Sequence, residues 1–441
     1  MIRRLIAILL CTLLVMNVMG QSDEKPYAGT SLNFLYLATA FTNGLKELEP
    51  EFEALTGISV EFELLDEEGS VRKTQLELAS GAGNYDVVGI QSGNIPLYAE
   101  NSWVTPVENF WGTDVSDPEA LDHDDLIAST MAAMQWDGVQ QCLPFFAATI
   151  IMYYQIDIFE AAGIESPPTT YDELLEIAPL LHTEEIPLIA LRGNPPASHG
   201  NIWHFNSFFH GEGAKFFVDF PNDLTPTVNS PEAIRALTNF VNLKNNYGPE
   251  GVAAYQYPDV TRAMQQGTVV MVMEGAPLAG RILDPEESKV SGNLGFAVVP
   301  GGAAGPKPSF AAHGICVTAD SEHQEAAYTF VEWALSFDTM KKISLALPQI
   351  AVTRDSLWED ADFIAKYDYD FGAGSFLKAF QDSLAAAPFD YYPAFAGWPL
   401  MGDILGQAVQ EAEIGARTPE DALNHANELI TQMLQDEGYL P

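Results

Sequence analysis

The chain has 441 residues, more than one hydrophobic core ordinarily holds, so two lobes are expected. Its 47% hydrophobic content is that of a globular protein rather than a disordered tail or a membrane bundle. With 20 Lys+Arg against 61 Asp+Glu the net charge is −41, which repels phosphate backbones and anionic lipid and argues against nucleic-acid binding or membrane docking. Charge on this scale strains a compact state unless cations screen it, which suits a salty external medium. The melting temperature is therefore expected to rise with added sodium chloride, and a thermal scan indifferent to salt would remove this reading.

Met1 to Gly20 reads as an export leader. Arg3 and Arg4 form its positive start, Leu5 to Met16 is an apolar run too short to span a bilayer, and Val18-Met19-Gly20 offers a cleavage site. Cys11 lies inside the apolar run and none stands at the cut, so no lipid anchor is expected. No later segment has 18 consecutive apolar residues. Leu32 to Leu37 then reads as a strand, followed by a helical stripe of Leu45, Leu48, Phe52 and Leu55 closed by Gly57. Val60, Phe62 and Leu64 alternate as a second strand. A helix over Val71 to Ala79 and an apolar strand over Asp86 to Ile90 complete a β-α-β-α-β order, the pattern of a doubly wound parallel sheet. In such sheets ligands meet the loops leaving the carboxyl ends of the strands, here Ala38–Thr42, Leu65–Gly69 and Gln91–Asn94.

A second unit starts near residue 150. Ile150 to Tyr154 is a strand and Asp157 to Ala162 a short helix, and Thr170 with Glu173 forms a capping box opening a helix to about Leu181. Strands follow at Pro187 to Leu191 and Val269 to Met273. Ser230 and Thr418 each cap a helix with proline in its first turn, and between Ala312 and Leu335 a strand precedes an amphipathic helix. Cys142 and Cys316 both lie in apolar, strand-like text. Two separately buried thiols is the simpler reading, with pairing left open.

Catalytic patterns are scarce. "GIQSG" has the wrong spacing for a nucleophile elbow, and the helical zinc motif, the P-loop and Gly-x-Gly-x-x-Gly do not occur. His199, His204 and His210 with Glu212 suggest a metal site, but their spacings fit no ligand set on one helix. Carboxylate pairs, the mark of a secreted glycosidase, are uninformative among 61 acids. Adjacent Tyr391-Tyr392 and Tyr153-Tyr154 read more readily as core than as iron ligands. Aromatic and amide residues, by contrast, concentrate in Gly/Pro-rich text that reads as loops. Trp203, His204, Phe205, Asn206 and Phe208 stand in "NPPASHGNIWHFNSFFHG", and "YYPAFAGW" ends in Trp398. Rings cover the C–H patches of a sugar or polyol while amides and carboxylates pair with its hydroxyls.

Several stretches together resemble the family 1 extracellular solute-binding proteins of ABC importers. They are "FEALTGISVEFE", "LELASGAGNYDVVGIQSG", "DGVQQCLPFFAATIIMYYQIDIFEAAGIESPPTTYDELLEIA", "VNSPEAIRALTNFVNL", "AMQQGTVVMVMEG", "ADSEHQEAAYTFVEWALS" and "TPEDALNHA". "YGPEGV" and "EESKVSGNLGFAVVPGG" are most similar to sorbitol/mannitol-type polyol binders and their monosaccharide relatives. The resemblance implies an α/β, type II periplasmic-binding-protein fold of two discontinuous, doubly wound lobes joined by a hinge. One lobe would span 21–147 plus 311–353 and the other 148–310 plus 354–441, with crossings near Phe146–Thr149, Ser309–Ala312 and Thr353. It places the Cys142 and Cys316 strands side by side, which favours pairing without deciding it.

Carried over by position, Thr39 and Phe41 occupy the first ligand loop, Gln91, Ser92 and Asn94 the third, and Trp203 and Asn206 the second lobe's aromatic-amide loop. Glu274 follows a strand where relatives often carry Asp, and His313 stands where polyol binders commonly have Trp. Arg354 lies at the third crossing; facing the cleft, it would favour a sugar acid or sugar phosphate. The resemblance further implies a monomer that is no enzyme, binds no metal or other cofactor, and works in the periplasm or extracellular space. Its ligand would be a sugar or sugar alcohol and its partners the permease subunits. A metal-binding protein of the same fold and a secreted glycoside hydrolase are the alternatives.

Overall fold

The computed structural model describes residues 25–116, 121–193, 200–388 and 391–441; the leader read over 1–20 and His199 lie outside them. Its first β-α-β-α-β segment follows the apolar pattern. Strands β1 (Ser31–Leu37), β2 (Ser59–Leu65) and β3 (Val87–Gln91) run parallel in the order β2-β1-β3, with α1 (Ala40–Thr56) and α2 (Glu67–Ser80) between them. Thr39 caps α1 by accepting the Thr42 N–H, and Gly57, at φ 77°, ends it by donating to the Glu53 carbonyl at 2.7 Å. Leu45 and Phe52 are buried, whereas Leu55, the last residue but one of the helix, is exposed.

A second set of strands joins this sheet. β4 (Leu143–Gln155) is a 13-residue apolar run, and β5 (Ile189–Ala190), β6 (Met271–Gly275), β7 (Leu294–Ala297) and β8 (Phe310–Thr318) follow. The principal order is β2-β1-β3-β8-β4-β6-β5, with β7 also paired to β4. β4 changes partners along its length. Its first half pairs antiparallel with β8 as far as Thr149, and from Ile150 onward its neighbours are β6 and β7. One strand therefore belongs to both lobes, the first carrying β1–β3 and the second β5–β7. Side chains alternate across the sheet into two cores: Leu35, Val88, Ile150 and Met152 on one face, Phe34, Tyr36, Ile151 and Tyr153 on the other.

The local signals of the second unit are realised as bonds. Glu173 N–H donates to Thr170 Oγ1 at 3.1 Å and Thr170 N–H to Glu173 Oε2 at 3.3 Å, opening the Tyr171–Leu181 helix. Ser230 and Thr418 cap helices Pro231–Tyr247 and Pro419–Asp436. Two expectations change. The aromatic-amide stretch read as a loop is a helix, Gly200–Gly211, buried on nearly every side. Cys142, just before β4, and Cys316, on β8, are not separate thiols: they form a disulfide with Cα atoms 4.5 Å apart, next to the Ile315–Leu143 register pair. Among the described residues no helix is long and apolar enough to cross a membrane.

Candidate functional site

The carboxyl ends of β1, β2 and β3 deliver their loops to one side of the sheet, where the second lobe closes over them. Between the lobes lies a cleft of about 670 Å³. Thr39, Asn43, Glu67, Gln91, Ser92 and Asn94 line it from the first lobe, together with Phe146 and His313 on the shared strands. Arg192, Trp203, Tyr257, Tyr392 and Trp398 face them from the second. Gly93 of the first lobe approaches Trp398 of the second closely: a Cβ added to it would stand 3.4 Å from the Trp398 ring.

Arg192 is the most tightly held of these groups. Glu274, wholly buried behind it, accepts from Nε at 2.9 Å and Nη2 at 2.5 Å, and also takes the Gly275 N–H at 2.7 Å. Burial disfavours the Glu274 carboxylate most, but Arg192, the Gly275 N–H and His204 together outweigh it and hold the pKa below the usual range. The Arg192 N–H donates to His204 Nδ1, and its carbonyl accepts from Lys244, itself paired with buried Glu413. The guanidinium lies 5.5 Å from the Tyr257 ring centre and 6.0 Å from that of Trp203. An arginine fixed at both backbone groups and along one edge of its fork keeps its remaining N–H groups for the cleft.

On the opposite wall Glu67 lines the cleft beside Gln91. Burial raises its carboxyl pKa, and Arg192 and Gln91 pull it part of the way back. His313 Nδ1 is 2.8 Å from the Tyr36 hydroxyl, and its ring lies 4.6 Å from that of Phe146. Tyr36 reaches it only because residue 89 is glycine: a Cβ there would lie 2.1 Å from the Tyr36 ring. Burial lowers the His313 pKa to about 4 and that of His204 to about 3, so both are neutral near pH 7. An unfolded chain protonates these imidazoles near pH 6.5, so stability is expected to fall as pH drops below that value. The loss for His313 reaches about 3 kcal/mol by pH 4. Urea midpoints between pH 7.5 and 5 should fall more steeply in the wild type than in His313→Gln.

The sequence expectations divide on this geometry. Thr39, Gln91, Ser92, Asn94, Trp203, His313 and Trp398 meet at the cleft. Thr39 and Ser92 have hydroxyls already engaged, with Thr42 and with the Ala312 N–H. Phe41 does not line the cleft; it is buried in the first lobe, stacked on Phe145 at 4.9 Å. Glu274 reaches the cleft only through Arg192. Asn206 lies one helical turn from Trp203, fully buried outside the cleft lining, with neither amide atom bonded among the described residues.

Arg354 is built into the first lobe, donating to the carbonyls of Leu335 and Leu121 and to Asp125, so the argument it offered for an anionic ligand lapses. His204 is spent on Arg192 and His210 donates to the Tyr391 carbonyl; no metal-type cluster occurs among the described residues. Of the paired tyrosines, Tyr391 is core, donating to the Trp203 carbonyl, while Tyr392 lines the cleft beside Trp398. Sequence reasoning missed Glu67, Arg192, Tyr257 and Tyr392. Only Glu67 carried a usable signal, its place in the loop after β2.

Comparison with known proteins follows the same lines. A Mycolicibacterium smegmatis erythritol/L-threitol-binding protein is 25% identical over 339 residues, 74% of this chain and 71% of that one. An Agrobacterium radiobacter ABC-transporter solute-binding protein, solved in complex with ribitol, superposes with a TM-score of 0.81 at 25% identity, covering 92% of this chain and 99% of that chain. One from Agrobacterium vitis with bound D-mannitol gives 0.79 at 26% identity, covering 93% and 99%. The match over residues 38–341 to the bacterial extracellular solute-binding protein model shows that the chain belongs to that family.

Proposed function

We propose that the protein captures an uncharged polyol or small sugar between its lobes and delivers it intact, as a monomer, to the permease subunits of an ABC importer. The observation that carries this is the ring-walled cleft in which Arg192, its charge already met by Glu274, offers N–H donors opposite the acceptors Glu67 and Gln91. Such a site pairs hydroxyls without demanding a charge. The polyols bound by the similar proteins support the same class. The leader at 1–20 and the Cys142–Cys316 disulfide support a periplasmic or extracellular location.

Thr39, Gln91, Ser92, Asn94, Trp203, His313 and Trp398 are the proposed contacts, joined by Glu67, Arg192, Tyr257 and Tyr392. The proposed hinge is the region of 147, 310 and 353. A ligand touching both walls binds the closed form better than the open one, and that difference sets how far the population shifts. The permease then reads the closed form.

Titration calorimetry with ribitol, D-mannitol, erythritol and simple hexoses tests the proposal, with X-ray scattering to follow contraction. Binding by none of them, or binding with turnover, would overturn it. Trp203→Ala is expected to weaken binding at least tenfold, on the order of 1.4 kcal/mol. Unchanged affinity in a folded variant would remove Trp203 from the site.

A further inference from the structure

Two charged groups inside the cleft, Glu67 and Arg192, come from opposite lobes and differ in how their charge is met. Arg192 is gripped along one edge of its fork by buried Glu274, so its positive charge is neutralised from behind. Glu67 lines the cleft beside the neutral Gln91 side chain and makes no ion pair among the described residues. Among the described residues the other lining charges belong to exposed side chains, Arg72 (paired with Glu68), Arg281 and Asp403, where water and salt damp their fields. Among the described residues inside the cleft, the charge left over once Arg192 is paired with Glu274 is thus negative and sits on the first-lobe wall.

We propose that Glu67 is the specificity determinant that admits uncharged polyols to this cleft and excludes the corresponding sugar acids. This rests on the polyol reading above. A hydroxyl between the walls donates to Glu67 and accepts from Arg192, satisfying both. A carboxylate in the same place offers no proton to Glu67 and sets like charge against it away from bulk water, while Arg192 has little net charge left to attract it. Rejection by an unmatched buried group discriminates more strongly than a change in apolar contact.

The test is calorimetry at pH 8 with ribitol and ribonate as probes. The wild type is expected to bind ribitol at least a hundredfold more tightly than ribonate. Glu67→Gln should shrink that ratio at least tenfold, and Glu67→Asp, which keeps the charge, should retain most of it. A wild type that binds both compounds alike, or a Glu67→Gln ratio equal to that of the wild type, overturns the role of Glu67 and leaves the polyol reading standing. If the wild type binds ribonate alone, or neither these nor any other polyol or sugar, the polyol reading fails and this inference falls with it.

Discussion

Glu274→Gln is expected to lower the unfolding free energy by about 3–5 kcal/mol, because it leaves the Arg192 charge buried without a counter-ion. The Glu274 side chain is wholly buried, and that of Arg192 is only 15% exposed. Water therefore cannot take over when the carboxylate goes, and an amide can accept from one N–H of the fork but not balance its charge. The damage should extend to ligand affinity, since the same carboxylate orients the donors facing the cleft. A second variant separates loss of the pair from creation of a lone charge. Replacing both partners, Arg192→Met with Glu274→Met, should be less destabilising than Glu274→Gln alone, because an apolar pair of similar volume needs no compensation. Urea denaturation at pH 7.5 reads all three proteins. A double variant no more stable than the single one would show that packing, not charge, is what the pair supplies.

Removing the disulfide should be comparably severe. Cys142 and Cys316 are separated by 174 positions in sequence. Chain-entropy reasoning for a loop of that size gives roughly 5 kcal/mol of stabilisation through restriction of the unfolded chain. Cys142→Ser with Cys316→Ser is expected to lose most of this, and the wild type treated with reductant in mild urea should follow the variant. Because the bridge joins the strands that carry Phe146 and His313, the variant should also bind its ligand more weakly. Equal denaturation midpoints for variant and wild type would sink the prediction.

What the sequence revealed was what short-range chemistry determines. The Thr170–Glu173 box, the Ser230 and Thr418 caps and the Gly57 stop are each settled within a few residues, and all were readable. The Gly200–Gly211 helix was not. Its Gly, Asn, Ser and His residues are poor helix formers, and a segment buried nearly all round shows no polar stripe to betray its period. Arg354 misled because a basic residue near an expected crossing looks like a ligand clamp, while the Leu121 and Leu335 carbonyls that absorb it are distant in sequence. Glu67 and Arg192 were hidden differently. Among 61 acidic residues nothing local marks the one that faces a cleft, and Arg192 acquires its role only through Glu274, 82 positions away. The disulfide was undecidable for the same reason of distance.

The position of the cystine along β4 bears on how the molecule flexes. It lies at the start of the strand, well short of Thr149 and Ile150, where β4 exchanges one set of neighbours for another. If the proposed hinge lies there, the covalent weld stiffens the frame on one side of the joint and leaves the pivot free to twist. A bridge engineered at the facing Thr149 and Phe310 would act instead as a splint, locking the jaws at whatever aperture they held when it formed.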